Sequence, residues 1–201
     1  MFEFGNDYFQ ELNNILQDSN PSVSDILMVE NFRGAFRKGI PELHHFIFYH
    51  ISEFVDYAFK LPETESSSVI QSNALFILTT QNLPFTVQLT TNRTFLLKLM
   101  SYLKDPQASQ DYILTTFCAI FEFIISSTNG LIFIHLPEKD QFISRLVQYI
   151  SNNAVYNFLQ FLTTSQNQVV NDYLTNSQAS LVILNSLEMK SVIMVVQYTS
   201  I

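Results

Sequence analysis

The stretch from Glu138 to Leu162, EKDQFISRLVQYISNNAVYNFLQFL, carries the pattern that most restricts how this chain can fold. Apolar residues recur in it at i, i+1, i+4, i+5 and i+8, which places five side chains on one face of an α-helix. The pattern occurs twice, first at Phe142, Ile143, Leu146, Val147 and Ile150 and then at Ala154, Val155, Phe158, Leu159 and Leu162. We therefore expect two short helices joined by a tight turn, with Asn153 as the N-cap of the second helix. Such short helices gain most of their stability from packing, so each stripe requires neighbouring helices.

The same stripe also begins 47 residues earlier in the chain, at Phe95. Its members are Phe95, Leu96, Leu99, Met100 and Leu103. Armadillo and HEAT units repeat at about 40–47 residues, and stacking of such units covers every helix with its neighbours. The sequence thus predicts an all-α fold, and within that class an α-solenoid of armadillo- or HEAT-like repeats over residues 1–190. A non-repeating helical domain is the alternative, because any all-helical chain shows similar stripes.

Helical spacing of apolar residues continues through most of the chain. A single helix is predicted over VSDILMVENFRGAF, another over residues 92–105, and a longer one through residues 113–125. The pair Asn129-Gly130 is expected to form the C-cap of the long helix. The segment LIFIHLP that follows is predicted to be a short buried helix.

The last residues, 191–201, form an apolar and largely β-branched segment, SVIMVVQYTSI. The terminal repeat of a solenoid needs a polar outer face, and an exposed segment of this composition is prone to aggregate. We therefore expect this end to be truncated or divergent, and to form an uncapped interface for further repeats or for a partner.

Charge restricts the partners that the chain can have. It carries 18 acidic and 10 basic residues, for a net charge of −8. The densest basic stretch, FRGAFRKG, contains Arg33, Arg37 and Lys38, and we interpret it as the solvated face of a helix. A nucleic-acid-binding protein should show a basic stripe, and an anionic membrane surface also attracts basic segments. The sequence therefore predicts no nucleic acid as a partner.

The cellular location is predicted from three features. The most apolar helix, residues 112–126, is shorter than the roughly 20 residues that span a bilayer, so no membrane insertion is expected. The opening MFEFGNDYFQ lacks the basic region of a secretory signal. Cys118 is the only cysteine, which excludes intramolecular disulfides and fits a reducing compartment. Together these features predict a cytoplasmic protein.

Side chains that could perform chemistry are few and poorly arranged. Cys118 lies on an apolar stripe and is predicted to be a buried, inert thiol. The remaining candidates are His44, His45, His50 and His135, the nearby Glu42 and Glu53, and the pair Glu63 and Glu65. We interpret the histidines as packed or exposed rather than metal-bound, and the last two glutamates as solvated residues of a polar loop, ETESSSV. No catalytic, cofactor-binding or metal-binding residue is predicted, so we expect no enzymatic activity and no cofactor.

The order of these motifs resembles that of the SAPS-domain proteins, the regulatory subunits of protein phosphatase 6. Their opening aromatic motif and the first two helices correspond to Phe2, Phe4, Gly5, Leu12, Ile15, Leu16, Val23, Ile26 and Leu27. The segment SNALFILTTQNLPFTVQL is similar to a second family motif through Ala74, Leu75, Ile77, Leu78, Thr79, Leu83 and Leu89. FLLKLMSYLKDPQASQDYILTTFCAIFEFIIS resembles two consecutive helices of the family. The stretch quoted first is similar to a further motif through Phe142, Tyr149, Ile150, Ser151, Ala154, Val155, Leu159 and Leu162.

This resemblance covers residues 1–190 and departs from the family at a few positions. The tryptophan of the opening motif is missing, and only Lys139 remains of a basic run before Phe142. The resemblance implies a non-catalytic regulatory or scaffold subunit that binds a protein phosphatase 6-like catalytic subunit and directs its substrate choice. It implies no active-site residue, and the partner-binding residues are unknown. The alternative is a helical-repeat adaptor that binds peptides or trafficking partners without a phosphatase.

Overall fold

The computed structural model of the chain is all-helical, as predicted. It describes residues 9–104, 110–177 and 179–188, and within them it contains fourteen α-helices and no β-strand. The chain divides into two compact units, Met1–Phe85 and Thr86–Ile201. Each unit has its own buried apolar core.

The first unit is arranged around one long helix, α6. Its helices are α1 (Gln10–Leu16), α2 (Val23–Met28), α3 (Phe32–Lys38), α4 (Pro41–Tyr49), α5 (Ile51–Phe59) and α6 (Glu65–Thr79). α7 (Leu83–Thr91) begins in this unit and continues into the second. α6 packs against α2, α3 and α5, so three shorter helices cover one 15-residue helix. Phe32, Phe36 and Phe54 are fully buried and fill the spaces between them.

Two helix boundaries in the first unit differ from the predictions. The predicted single helix over VSDILMVENFRGAF is two helices, because the buried residue Val29 has non-helical backbone angles (φ −57°, ψ 128°) that end α2. The predicted polar loop ETESSSV is mostly the first turns of α6, which begins at Glu65. Thr64 caps this helix by accepting from the Ser67 backbone N–H, and Oγ of Ser67 accepts from the Thr64 N–H in return. A serine at the third helical position thus completes a capping box that usually contains Glu or Gln.

The second unit is arranged around α9. Its helices are α8 (Arg93–Ser101), α9 (Asp111–Thr128), α10 (Ile132–His135), α11 (Lys139–Val147), α12 (Asn153–Thr164), α13 (Gln168–Asn176) and α14 (Ala179–Glu188). α9 packs against α10 and α12, and α10 packs against α13. Fully buried aromatic rings connect these helices: Phe121 stacks on Phe142 at 4.9 Å, and Phe158 meets Phe121 edge-on at 6.2 Å.

The predicted pair of helices in the Glu138–Leu162 stretch is present, but its turn differs in detail. α11 ends at Val147, so Ile150 lies in the turn and is only partly buried. The predicted N-cap, Asn153, is wrong, because it is the first residue of α12 and Asn152 caps the helix. Oδ1 of Asn152 accepts from the N–H groups of Ala154 and Val155, while its Nδ2 donates to Oδ1 of Asp111 on α9. Asn152 therefore caps α12 and also joins it to α9.

The other predicted stripes lie where the pattern placed them. All five residues of the stripe that begins at Phe95 are buried, although α8 ends at Ser101 and the end of its predicted range, Asp105, lies outside the described residues. Asn129 and Gly130 both have positive φ and terminate α9, as expected. LIFIHLP contains the short helix α10, as predicted. The C-terminal segment 191–201 also lies outside the described residues.

α9 is 18 residues long and apolar enough to cross a membrane by length and composition alone. Ten of its residues are buried in the second unit, including Phe117, Phe121 and Ile124. A core helix of a folded domain has these same properties.

Candidate functional site

The guanidinium group of Arg33 on α3 is held in place by α6. Its Nε donates to Oδ1 of Asn73 over 2.6 Å, and its Nη2 donates to Oγ of Ser72 over 2.6 Å. Both acceptors are neutral, so neither compensates the positive charge of Arg33. This residue also lies in the first turn of α3, where the helix dipole disfavours a cation. The Arg33 side chain is therefore held by α6, and its charge does not stabilise α3.

A second contact fixes the orientation of the Asn73 side chain. Asn73 is only 7% exposed, and its Nδ2 donates to the backbone oxygen of Leu27 on α2 over 2.7 Å. Because the amide donates on one side, its Oδ1 must face Arg33 on the other. Buried polar groups need such partners, and here the partners come from α2 and α3. The three helices thus hold one arginine side chain at a defined position.

The ring of Phe76 on α6 supports two guanidinium groups. The Cζ atoms of Arg33 and Arg37 each lie 5.0 Å from its centroid, within cation–π range. The ring itself is held by an edge contact with Phe36 at 6.0 Å. The two Cζ atoms are therefore no farther apart than twice 5.0 Å. At that upper limit two like charges repel by roughly 0.4 kcal/mol in water, and a bound anion would offset this repulsion.

Arg33, Arg37 and Lys38 are here called the α3 cationic cluster. Nζ of Lys38 lies 5.1 Å from the ring of Phe9. All three side chains are exposed, as the sequence predicted, and none forms an ion pair within the part of the chain that the structure describes. Three of the 10 basic residues of an acidic protein therefore lie on one short helix, with no carboxylate of the described residues within ion-pair distance.

The four histidines have different surroundings. The His44 ring packs between Phe36 and Phe85, and its buried Nε2 has no hydrogen-bond partner among the described residues. Nδ1 of His50 lies 2.8 Å from Oε1 of Glu53, at the junction between α4 and α5. The other two, His45 and His135, are exposed. No group of three or more metal-ligand side chains comes together among residues 9–104, 110–177 and 179–188.

Cys118 is buried in α9, as the sequence predicted. Burial, together with the nearby carboxylate of Glu122, raises the pKa of its thiol to about 12. The thiol is therefore protonated at neutral pH and is not a nucleophile there. Glu42 lies on the exposed surface of α4, and Glu63 and Glu65 are exposed around the start of α6.

A polar groove lies between the α10–α11 region and α13 in the second unit. Asp140, Asp172 and Asn176 line it, together with Lys139. Tyr173 forms part of its wall, where its ring stacks on Phe133 at 4.3 Å and its hydroxyl donates to the Lys139 backbone oxygen over 2.7 Å. Two carboxylates and one amide thus lie beside one lysine and several apolar side chains in this groove, in contrast to the α3 cationic cluster.

Comparison with known proteins adds no further assignment. No family model matches the chain, and no curated protein and no solved structure matches it. Over the described residues, the fold and the site thus define an all-helical protein with a cationic cluster in which α6 orders Arg33.

Sequence reasoning identified the basic stretch FRGAFRKG but not the contacts that order it. Those contacts come from Ser72, Asn73 and Phe76, about 40 residues further along the chain. The one available signal was Asn73, a polar residue within the apolar pattern of IQSNALFILTT. A buried amide requires partners, and an arginine on a neighbouring helix is a suitable one.

Proposed function

We propose that this chain is a non-catalytic regulatory or scaffold subunit that binds a protein phosphatase 6-like catalytic subunit and directs its substrate choice. Its fold would be an α-solenoid of armadillo- or HEAT-like repeats that works through protein–protein interaction in the cytoplasm. The partner's identity rests on the sequence resemblance to SAPS-domain proteins alone. The scaffold role rests on the structure of the second unit.

The observation that carries the scaffold role is a repeated pair of helices. α8 and α11 are both nine-residue helices, and their stripes start 47 residues apart at Phe95 and Phe142. Each is followed by a longer helix, α9 and α12 respectively, and these two longer helices pack directly against each other. Packing between equivalent helices of successive units is how helical repeats form extended binding surfaces.

Exposed apolar side chains support the same interpretation. α14 leaves Leu181 62% exposed and Leu184 49% exposed, while Ile183 on the same helix is fully buried. A helix with apolar residues on nearly every side is typical of one that is covered by neighbours. Such a surface suits a protein whose role is to bind other proteins.

The second candidate function is an adaptor that binds basic peptides or trafficking partners without a phosphatase. The groove lined by Asp140, Asp172 and Asn176 favours this alternative, because its carboxylates and amide would accept hydrogen bonds from Lys or Arg. Charge-reversing substitutions in the groove would abolish peptide binding under this alternative. They would leave phosphatase binding to another surface unchanged under the first proposal.

Affinity purification of the tagged chain from its native cell tests the first proposal. We expect a phosphatase catalytic subunit among the partners, identified by mass spectrometry, and phosphoester hydrolysis in the purified complex. The isolated chain should hydrolyse no phosphoester under the same conditions. Metal-dependent hydrolysis by the isolated chain would overturn the non-catalytic assignment, and a complex without any phosphatase would favour the adaptor.

A further inference from the structure

We propose that the α3 cationic cluster, together with Phe76, is a binding site for a phosphorylated side chain on a protein segment. The site lies entirely in the first unit, on α3 and α6. It does not depend on which protein the scaffold binds, so it stands or fails separately from the proposed function.

The geometry around Arg33 is that of a pre-organised anion site. Its guanidinium group is held by Asn73 and Ser72 at 2.6 Å each, and the Asn73 amide is itself oriented by the backbone oxygen of Leu27. The supporting atoms are neutral, so the full charge remains available to a ligand. A side chain that is already ordered loses less conformational entropy when it binds.

Arg37 complements this fixed group with an adjustable one. Its side chain makes no hydrogen bond within the described residues, and its guanidinium group lies over the ring of Phe76. The two guanidinium groups lie no more than about 10 Å apart, and a long, unbonded Arg37 side chain can move to contact an anion that Arg33 binds. Planar guanidinium groups bind phosphate with paired, charge-assisted hydrogen bonds. A phosphoryl group carries nearly two negative charges at neutral pH, which matches two arginines that form no ion pair within the described residues.

The size and setting of the cluster favour a single phosphoryl group over a polyanion. Nucleic-acid binding typically uses about 6–10 phosphate contacts, whereas three cations are present here. The chain as a whole carries a charge of −8, which repels extended polyanions and anionic lipid surfaces. A phosphoryl group on a neutral peptide avoids most of that repulsion and still reaches the two arginines.

Fluorescence anisotropy with the full chain tests this proposal directly. The probe is a labelled Gly/Ser peptide that carries one phosphoserine, compared with the same peptide unphosphorylated and with glutamate in place of the phosphoserine. We expect the phosphorylated peptide to bind at least about tenfold more tightly than either, with an affinity that falls as salt increases. Inorganic phosphate should compete, but only at much higher concentration than the peptide.

Arg37→Gln is the informative variant, because the residue makes no hydrogen bond that the fold requires. It should weaken phosphopeptide binding about tenfold, and Arg33→Lys, which keeps the charge but loses the planar fork, should also weaken it. Arg93→Gln is the matched control: it removes one exposed arginine from α8 and should leave binding unchanged. Equal binding of all three peptides, or an equal loss in Arg93→Gln, would overturn the proposal. Binding to phosphatidylserine vesicles that is lost in Arg37→Gln, without binding of the phosphopeptide, would also overturn it.

Discussion

Nε of Arg33 donates a 2.6 Å hydrogen bond to Oδ1 of Asn73, a residue 40 positions away in the sequence, and this bond joins α3 to α6. The acceptor belongs to a buried amide and the donor to an exposed guanidinium group. The fold therefore uses a buried polar residue to position a charged group at the surface. Removing one partner of this bond should lower the stability of the fold, because the remaining buried polar atom then has neither a hydrogen bond nor water.

Asn73→Ala should destabilise the chain by about 1–3 kcal/mol, because it leaves the buried backbone oxygen of Leu27 without its donor. Arg33→Ala should cost less, since Arg33 is exposed and water can replace part of its contact. The two substitutions should be non-additive by at least about 0.5 kcal/mol, as expected for residues in one hydrogen-bond network. Urea unfolding of both single variants and the double variant measures this coupling. Strict additivity would mean that the contact does not persist in solution.

Phe158→Ala should lower the free energy of unfolding by about 3–5 kcal/mol. The Phe158 ring is fully buried and meets Phe121 and Phe142 edge-on at 6.2 and 6.5 Å. Phe161→Ala is the matched control, because its ring lies on the same helix but is only partly buried. Chemical denaturation compares the two. A cost for Phe158→Ala no larger than for Phe161→Ala would contradict the described packing of α12 against α9.

Periodicity predicted the buried faces of this chain better than it predicted the helix ends. The whole stripe at Phe95 and the first three residues of the stripe at Phe142 lie in the core because apolar burial follows helical spacing directly. Helix ends depend on single hydrogen bonds instead. Asn152 was missed as a cap because its second bond, to Asp111, comes from a residue 41 positions away. The start of α6 was missed because Ser67 fills a capping position that usually holds Glu or Gln.

The candidate site shows the same limit. The basic stretch on α3 was visible in the sequence, but its support by Ser72, Asn73 and Phe76 required knowledge of which helix packs beside it. Helical periodicity states which face of a helix is buried and does not name the partner helix. An α-solenoid is defined by which helices pack together. The predicted solenoid therefore remains part of the proposed function.

The stability of the chain should decrease as the pH rises from about 9 towards 12, in part because of Cys118. The folded state holds the pKa of this thiol at about 12, whereas an unfolded thiol ionises near 8.5. Between those values the unfolded state loses its proton and the folded state keeps it, so unfolding becomes more favourable with a slope of up to about 1.4 kcal/mol per pH unit. Cys118→Ala should show a shallower decline than the native chain in thermal unfolding. Identical slopes would mean that the thiol is not buried in solution.

The ionised carboxylate of Glu138 should stabilise the folded chain fully only at pH values above the ordinary pKa of a carboxyl group. Hydrogen bonds from Lys104 and, to a smaller extent, Arg145 lower the pKa of its carboxyl group in the folded state. The stabilisation by Glu138 is therefore fully present above the pKa of the unfolded state and is lost as the pH falls through the pKa of the folded state. The group is exposed, so the effect should be small and suppressed by salt. Glu138→Gln should lower the melting temperature slightly at neutral pH and not at about pH 3. If the melting temperatures of Glu138→Gln and the native chain differ equally at both pH values, the charge of Glu138 is not the cause.

The central proposal is that this helical chain binds a protein phosphatase 6-like catalytic subunit, and a measurement with purified components tests it most directly. The purified chain and that catalytic subunit are mixed and analysed by size-exclusion chromatography with light scattering. The proposal predicts a stable complex that contains both proteins, and it predicts that the chain changes the rate at which the catalytic subunit dephosphorylates one substrate relative to another. Separate elution of the two proteins at concentrations well above those in the cell, with unchanged rates on every substrate, would contradict it.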